Sequence, residues 1–423
     1  MVRLAMALLL LAPALILAQG PPEALKGADR TAYEDMKYLK EPVVNPANDD
    51  ATKANRAILA KQAKYWVGQL TDAKRIQMDT LAAVVEDAIL ALPVPRGTQI
   101  KDTNMDKYLA FGKEMGTALV AELEPATKNS KIVVRVNATR LLSVVGELGC
   151  DQAAELALKI IARPDESDAV KHWALRTLGN LFTVEADSVN KEVTVFMHFK
   201  NPDLGNKCIV ALCEYITTAR DVSNLSPSEQ AAITFIRREA VKALGNVRTP
   251  RLKFGGKVLA RPALVLLKVA NMDGISPPPD LTERVEAIVG LCQLFPVIRS
   301  GADRDVNCDY AAAGLGAAIL DIVTIKINED QNKMIPWMVT ADRIDRALLQ
   351  CAKNVGDLRL NGAPAVKAMH KQAKDDMLDL LKSDKLGNKP NAVGFRQWLQ
   401  TNPAKSTSLY ADEPETKMKA IGN

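Results

Sequence analysis

The sequence is poor in aromatic residues and in net charge, and each shortage excludes a class of function. It holds 8 Phe, 7 Tyr and 4 Trp among 423 residues, too few for an aromatic-lined sugar cleft or a base-stacking platform. Lys and Arg number 55 against 50 Asp and Glu, a net charge of only +5. A dedicated nucleic-acid binder usually carries a clustered basic excess, so this balance argues against nucleic acid as the partner. The 48% hydrophobic content is that of a folded globular protein.

Motifs for catalysis and for metal binding are also missing. The only histidines, His172, His198 and His370, have no local metal-ligand spacing. The six cysteines form no CxxC pair, and the chain has no G-x-x-x-x-G-K-[ST] phosphate loop. No His–Glu or Cys–His arrangement at a recognisable spacing supports nucleophilic or general-base catalysis. We therefore expect a non-enzymatic protein without a cofactor or a metal.

The first 18 residues have the features of a secretory signal peptide. Arg3 precedes an apolar run from Leu4 to Leu17, and Ala18 is small enough to precede a signal-peptidase cleavage site. The run of about 15 apolar residues is shorter than the roughly 20 that a membrane-spanning helix needs. The sequence predicts cleavage after Ala18, no transmembrane segment after cleavage, and export to a periplasm or to the extracellular space. An uncleaved membrane anchor is the alternative.

The rest of the chain divides into three parts by composition. Residues 19–52 are polar and contain several prolines, which predicts an N-terminal arm or linker. From residue 53 to residue 401 apolar residues recur at spacings of three and four, the pattern of successive amphipathic helices. Within this part Glu192–Phe199 alternates like a strand, although we favour a helix there. Residues 402–423 are polar and charged and predict a flexible C-terminal tail.

A repeat runs through the middle of the chain. Small anchor residues recur at spacings of 36, 34, 32 and 47, at Ala138, Ala174, Cys208, Ala240 and Ala287. A leucine follows each anchor four positions later and a small residue five positions later. The anchor and the leucine lie on the same helical face. The interval of 47 implies an insertion, near Arg248–Gly256 or in the proline-rich loop at 276–279. One such helix cannot bury its face alone, so we expect the helices to stack on one another.

Two of these segments resemble a known repeat family. Ala174–Leu181 (ALRTLGNL) and Ala240–Val247 (AVKALGNV) resemble the second helix of HEAT-type repeats, best over about residues 132–295. The preceding Val170-Lys171 and Ile236-Arg237 fit the Val-Arg start of that motif. The resemblance implies an all-α fold, a right-handed α-α superhelix of the HEAT/armadillo-like solenoid class over residues 53–401. An irregular all-α bundle is the alternative.

Basic residues stand three positions before four of the five anchors, and in a stack they form a ladder across the repeats. We call Arg135, Lys171, Arg237 and Arg284 the basic ladder. Such a ladder grips acidic peptides or phosphate groups if it faces solvent. Alternatively its members pair with acids of adjacent repeats and cover the helix edge with their methylene stems. A second set, Arg140, Arg176 and Lys242, stands two positions after the anchors.

The cysteines fit the repeat better than they fit a cross-linked scaffold. Cys208 occupies an anchor position, and Cys213 and Cys292 occupy the small position that follows the leucine, which favours buried free thiols. An exported protein still meets an oxidising environment. Cys292 lies near the end of one predicted helix and Cys308 near the start of the next, so this pair is a candidate disulfide.

These features favour an exported scaffold that binds a protein or peptide partner along a repeat surface. The HEAT resemblance implies the same, since most members of that class are scaffolds and only a few are enzymes. One alternative is a HEAT-like enzyme whose site is assembled from distant residues. The other is a binder of acidic polymers, which a pI of about 8.7 permits.

Overall fold

The computed structural model describes residues 22–92, 102–182, 184–186, 193–195, 201–294, 305–328, 337–382 and 391–418. The signal-peptide prediction and His198 lie outside these ranges. Contacts divide the chain into two compact units, which are described separately. The first is Met1–Leu181 with His198–Lys200, and the second is Phe182–Met197 with Asn201–Asn423.

The described part of the first unit is built from α-helices. In chain order they are α1 (Gly27–Lys37), α2 (Asp49–Thr71), α3 (Ala73–Gln77), α4 (Leu81–Ala91), α5 (Asp102–Ala126), α6 (Ile132–Glu147), α7 (Asp151–Ile161) and α8 (Asp168–Leu181). Helices adjacent in the chain pack together, as α7 does on α8, and alternate helices pack as well, as α6 does on both α4 and α8. This double pattern of contact is the one expected of stacked helical hairpins.

The predicted N-terminal arm is largely part of this unit. It contains α1, and α2 begins within it at Asp49, where the Asn48 side chain accepts a hydrogen bond from the backbone of Ala51 at 2.9 Å. Tyr33 of α1 is buried, with its ring centroid 6.2 Å from those of Trp66 and of Phe111. Burial of this aromatic cluster anchors α1, because a large apolar surface leaves water when it forms.

Helices α6 and α8 lie side by side and run parallel. The Asn180 side chain donates to the Ser143 carbonyl at 2.7 Å and to Glu147 at 3.2 Å, pairs that are 37 and 33 residues apart. Gly146 lies so close to α8 that a Cβ there would stand 2.8 Å from the Thr177 carbonyl oxygen. The separation matches the predicted spacing of the repeat, so the repeat in the sequence corresponds to neighbouring helices in space.

The second unit is also mainly helical. Its α-helices are α9 (Pro202–Thr217), α10 (Pro227–Asn246), α11 (Pro262–Ala270), α12 (Leu281–Leu294), α13 (Cys308–Asn328), α14 (Trp337–Asp357), α15 (Ala363–Ala373), α16 (Asp379–Lys382) and α17 (Ala392–Thr401). A π-helical turn, Lys374–Leu378, joins α15 to α16. Helix α10 packs on α12, α12 on α14, α11 on α13 and α13 on α15. Alternate helices therefore contact one another here too.

Two short antiparallel hairpins interrupt the helices. Strand β1 (Val184–Ala186) pairs with β2 (Val193–Val195), and β3 (Leu252–Phe254) pairs with β4 (Lys257–Ala260). The helix predicted over Glu192–Phe199 is wrong where the structure describes it, because the alternating residues of β2 form a strand. The β3–β4 hairpin is the insertion expected from the 47-residue interval, and Gly255 and Gly256 supply the positive φ angles of its turn.

Capping and close packing set the position of α10 against α12. Ser226 and Glu229 form the predicted capping box, and the Asp280 carboxylate accepts from the Glu283 backbone at 2.7 Å. A Cβ on Gly245 of α10 would lie 2.7 Å from the Cα of Gly290 on α12. The small residue at this repeat position thus lets two backbones approach, as the sequence predicts.

The repeat positions form the core of each unit. All five anchors and the leucines that follow them, Leu142, Leu178, Leu212, Leu244 and Leu291, are fully buried. One helix of the described residues, α13, has a window, Cys308–Ile325, long and apolar enough to cross a membrane by length and composition. Because 67% of that window is buried inside the protein, its composition is explained by its place in the core.

The predicted flexible tail is folded over its described length. Residues 402–418 run along the second unit, and Ser408, Leu409, Tyr410 and Thr416 are buried. Tyr410 donates a hydrogen bond to the carbonyl of Pro250 at 2.7 Å. The sequence prediction is corrected here because one buried aromatic residue and several ion pairs hold a segment whose overall composition is polar.

Candidate functional site

The two members of the basic ladder in the first unit bind neighbouring loops. Arg135 donates to Glu166 at 3.0 Å and to the carbonyl of Asn129 at 2.9 Å. Lys171 donates to the carbonyl of Pro164 at 3.2 Å. Burial alone would raise the pKa of Glu166, but hydrogen bonds from the Ser167 backbone and from arginine outweigh it, so this pKa is lowered. Both ladder residues therefore hold the chain that precedes their own helices.

The two members in the second unit are buried. Arg237 is 1% exposed and donates to the Glu283 carboxylate at 2.9 Å and to the Pro277 carbonyl at 2.9 Å. Arg284 is 2% exposed and pairs with Asp321 at 2.7 Å. Burial raises the pKa of Glu283, although Arg237 acts against this shift. The basic ladder therefore does not form one continuous exposed surface, because the guanidinium groups of Arg237 and Arg284 are enclosed and already paired inside the protein.

A different group of basic residues faces solvent in the first unit. Trp173 of α8 is half-buried, and two guanidinium groups lie over its ring: that of Arg140 from α6 at 5.7 Å and that of Arg176 at 5.3 Å from the ring centroid. The His172 ring meets the same indole edge-on at 5.3 Å. We call Arg140, Trp173 and Arg176 the basic-aromatic surface. It arises because parallel stacking of α6 and α8 aligns the position two residues after each anchor.

The two arginines of the basic-aromatic surface differ in their counter-ions. Arg140 pairs with Glu86 of α4, and its side chain is 27% exposed. Arg176 is exposed, and the described residues offer it no acidic partner. A cation over an indole face is attracted by the negative π-cloud and keeps its N–H donors pointing outward. The surface therefore presents donors for an anion beside an aromatic ring.

A cleft of about 730 Å³ opens in the second unit. Its walls are mostly apolar and include Met369 of α15 and Trp398 and Leu399 of α17. Asp309 lies at its edge and accepts hydrogen bonds from the backbones of Lys405 and Ser406, each at 2.8 Å. Burial alone would raise the pKa of Asp309, but the bonds from Ser406 outweigh it and the pKa is lowered. This carboxylate is therefore occupied in holding the chain and is not poised as a catalytic acid.

Asp345 of α14 is the centre of a buried ionic group. His370 lies 2.7 Å from one carboxylate oxygen, and Lys382 pairs with the other. Burial would raise the pKa of Asp345, but Lys382 and His370 lower it below its ordinary value. No Ser, Thr or Cys side chain contacts this group among the described hydrogen bonds, so it has the character of an internal ion network.

The six cysteines are free and buried. The disulfide predicted between Cys292 and Cys308 is not formed, and Cys292 interacts with Cys351 instead. That contact, together with burial, raises the pKa of Cys351 well above its ordinary value. Cys292 is on α12 and Cys351 on α14, which pack directly. In the part of the chain that the structure describes, no three His, Cys, Asp or Glu residues have a metal-binding arrangement.

Arg140 and Arg176 stand out in the sequence only as a second basic set, two positions after the anchors. Trp173 precedes an anchor residue and is one of only 4 Trp in the chain, but no motif in the sequence marks it as part of a surface. Comparison with protein-family models, with curated proteins and with solved structures finds no match to this chain.

Proposed function

We propose that the chain is an exported, non-enzymatic helical-repeat protein that binds an acidic segment of a partner protein. The proposed architecture is a HEAT-like solenoid with the right-handed superhelical arrangement of that class. The contacts between alternate helices in each unit support it, as do the parallel course of α6 and α8 and the fully buried anchor residues.

One observation carries the binding proposal: the exposed Arg176 without an acidic partner in the described chain, stacked on the half-buried Trp173. A carboxylate that meets an arginine forms a charge-assisted hydrogen bond, stronger than a bond between neutral groups. Tryptophan and arginine are also the residues most enriched where binding energy concentrates in protein interfaces. An acidic peptide with an apolar side chain beside its carboxylate satisfies both groups.

Binding is tested by selecting random 12-residue peptides on the intact protein and measuring the affinity of the enriched sequences. We expect Asp and Glu to be enriched, and expect Arg176→Glu and Trp173→Ala each to weaken binding at least tenfold. Lys64→Glu is the matched control, because Lys64 is an exposed lysine of α2 and the substitution makes the same charge change. Enriched peptides that bind Trp173→Ala as well as the parent protein would contradict the proposal.

The salt dependence of binding to the basic-aromatic surface distinguishes a binder of acidic polymers from a binder of acidic peptides. Binding of a polyanion such as heparin would weaken steeply with salt and depend on the number of charges released. A peptide that also stacks on Trp173 keeps part of its affinity at high salt, since apolar contact is not screened. Equal loss of peptide and heparin binding between 50 mM and 500 mM salt would favour the polymer function.

The export proposal depends on the N-terminal 18 residues alone. Expression of the full chain and sequencing of the exported material should give an N-terminus at Gln19. If the protein keeps Met1 and sediments with membranes, the N-terminal segment is a membrane anchor and the export proposal is wrong.

A further inference from the structure

The basic-aromatic surface contains two guanidinium groups that lie close enough to meet one extended segment. The groups of Arg140 and Arg176 lie 5.7 Å and 5.3 Å from the same Trp173 ring centroid, so they are at most about 11 Å apart. In an extended peptide, side chains two residues apart point to the same side and are separated by roughly 6.5–7 Å. Two acidic residues with one residue between them can therefore contact both arginines at once.

Glu86 already occupies one of these two carboxylate positions. It lies on α4, which packs on α6, and its carboxylate accepts a hydrogen bond from Nη2 of Arg140. Arg176 is exposed and has no acidic partner in the described chain. The surface thus has one open carboxylate position and one that the protein fills with an acid of its own.

The contact between Glu86 and Arg140 is easy to displace. Among the described hydrogen bonds Glu86 uses a single donor of this guanidinium, whereas Arg56 donates to Glu114 from Nε at 2.9 Å and from Nη2 at 2.8 Å. The side chains of Glu86 and Arg140 are 52% and 27% exposed, so water and salt screen their attraction. A carboxylate that binds Arg140 through two N–H groups makes the stronger contact and can replace Glu86.

We propose that the basic-aromatic surface binds a segment with two acidic residues separated by one residue, and that Glu86 is an internal competitor for the second of them, an assignment that rests on the proposed function. In the free protein Glu86 holds Arg140. In the complex one carboxylate of the partner binds Arg176, and the other displaces Glu86 from Arg140. Because this displacement costs free energy, Glu86 lowers the affinity for a diacidic segment, and a segment with one carboxylate gains only the contact with Arg176.

The test compares two synthetic 12-residue peptides by fluorescence anisotropy on the intact protein. The diacidic peptide has glutamates at its fifth and seventh positions and a leucine at its ninth. The monoacidic peptide is identical except for a glutamine at its seventh position. We expect the parent protein to bind the diacidic peptide about fivefold more tightly, since a second charge-assisted contact forms. Arg140→Gln should lower the affinity for the diacidic peptide to that for the monoacidic one.

Glu86→Gln isolates the competitor, because it removes the charge and keeps the shape of the side chain. We expect it to tighten binding of the diacidic peptide about two- to fivefold, the range that the loss of an exposed ion pair allows, with little change for the monoacidic peptide. Asp87→Asn is the matched control. Asp87 is the next residue of α4 and is exposed, but it is turned about 100° around the helix from Glu86, so its variant should bind both peptides as the parent does.

Arg176→Glu tests the proposed function separately from the second carboxylate position. If this variant loses both peptides while the parent binds them equally well, the surface binds acidic segments but the diacidic partner is wrong. The role of Glu86 is overturned if Glu86→Gln leaves the affinity for the diacidic peptide unchanged, or if Asp87→Asn raises it by the same factor, since the effect is then one of overall charge. If the parent binds neither peptide, both the proposed function and the diacidic partner are wrong.

Discussion

The buried ion pair between α10 and α12 permits a sharp test of how the helices are held. Arg237 and Glu283 are 1% and 0% exposed, and the same guanidinium binds the carbonyl of Pro277. Arg237→Met keeps the length and most of the apolar stem of the side chain. It leaves the Glu283 carboxylate enclosed without its cation, so the substitution isolates the electrostatic part of the contact.

The expected loss is large. Removal of one partner from a buried ion pair costs about 3–5 kcal/mol, because the remaining charge has neither water nor a counter-ion. In a folded body of roughly 150–250 residues each kcal/mol lowers Tm by about 2–4 °C. The unfolding transition of the second unit should therefore move down by ~6–20 °C. The double variant Arg237→Met/Glu283→Leu should recover most of this loss, since no charge stays buried.

Differential scanning calorimetry at neutral pH measures these shifts, with the two units expected to give separate transitions. Lys242→Met is the matched control on the same helix. Its partner is Glu239, and the lysine side chain is 40% exposed, so we expect a loss below about 1 kcal/mol. A change in Tm below 2 °C for Arg237→Met would refute the reasoning, as would a double variant less stable than the single one.

Three further predictions concern the second unit. Hydrogen bonding to arginine lowers the pKa of Asp412 from 3.8 to about 2. The ionised Asp412 carboxylate therefore contributes fully to stability above pH 3.8, and this contribution is lost as the pH falls toward 2. Asp412→Asn should flatten this part of an acid denaturation curve. Gly245→Val should cost about 1–3 kcal/mol in urea unfolding, because its Cβ would meet the backbone of Gly290, and an unchanged midpoint would contradict the close approach of α10 and α12. If oxidation forms a disulfide in this unit, non-reducing peptide mapping should find Cys292 linked to Cys351, and a peptide that links Cys292 to Cys308 would contradict this pairing.

The helical repeat was predictable because its signal is local. An anchor and the leucine four positions later lie on one face of a helix whatever the surroundings. The structure buries Ala174 and Leu178 completely, and it places the β3–β4 hairpin where the spacing of the repeat widens. The capping box at Ser226 was predictable for the same reason, since all of its atoms belong to four consecutive residues.

The candidate sites were less predictable because their partners are distant in sequence. A basic residue at the edge of a buried face reaches solvent only if no acidic side chain of the neighbouring helix pairs with it inside the protein. Glu283 lies 46 residues from Arg237, and it turns that arginine inward. Arg176 meets no such acid in the described chain, so it stays exposed on Trp173.

The sequence by itself determined that this protein is a series of amphipathic helices and which face of each helix avoids water, since the period of apolar residues follows from helix geometry. Only the tertiary structure decided which charges are enclosed, which thiols meet and where the C-terminal residues lie. The contact between Tyr410 and Pro250 spans 160 residues. No local pattern encodes such a contact, because its stability comes from a groove that exists only after the helices have packed.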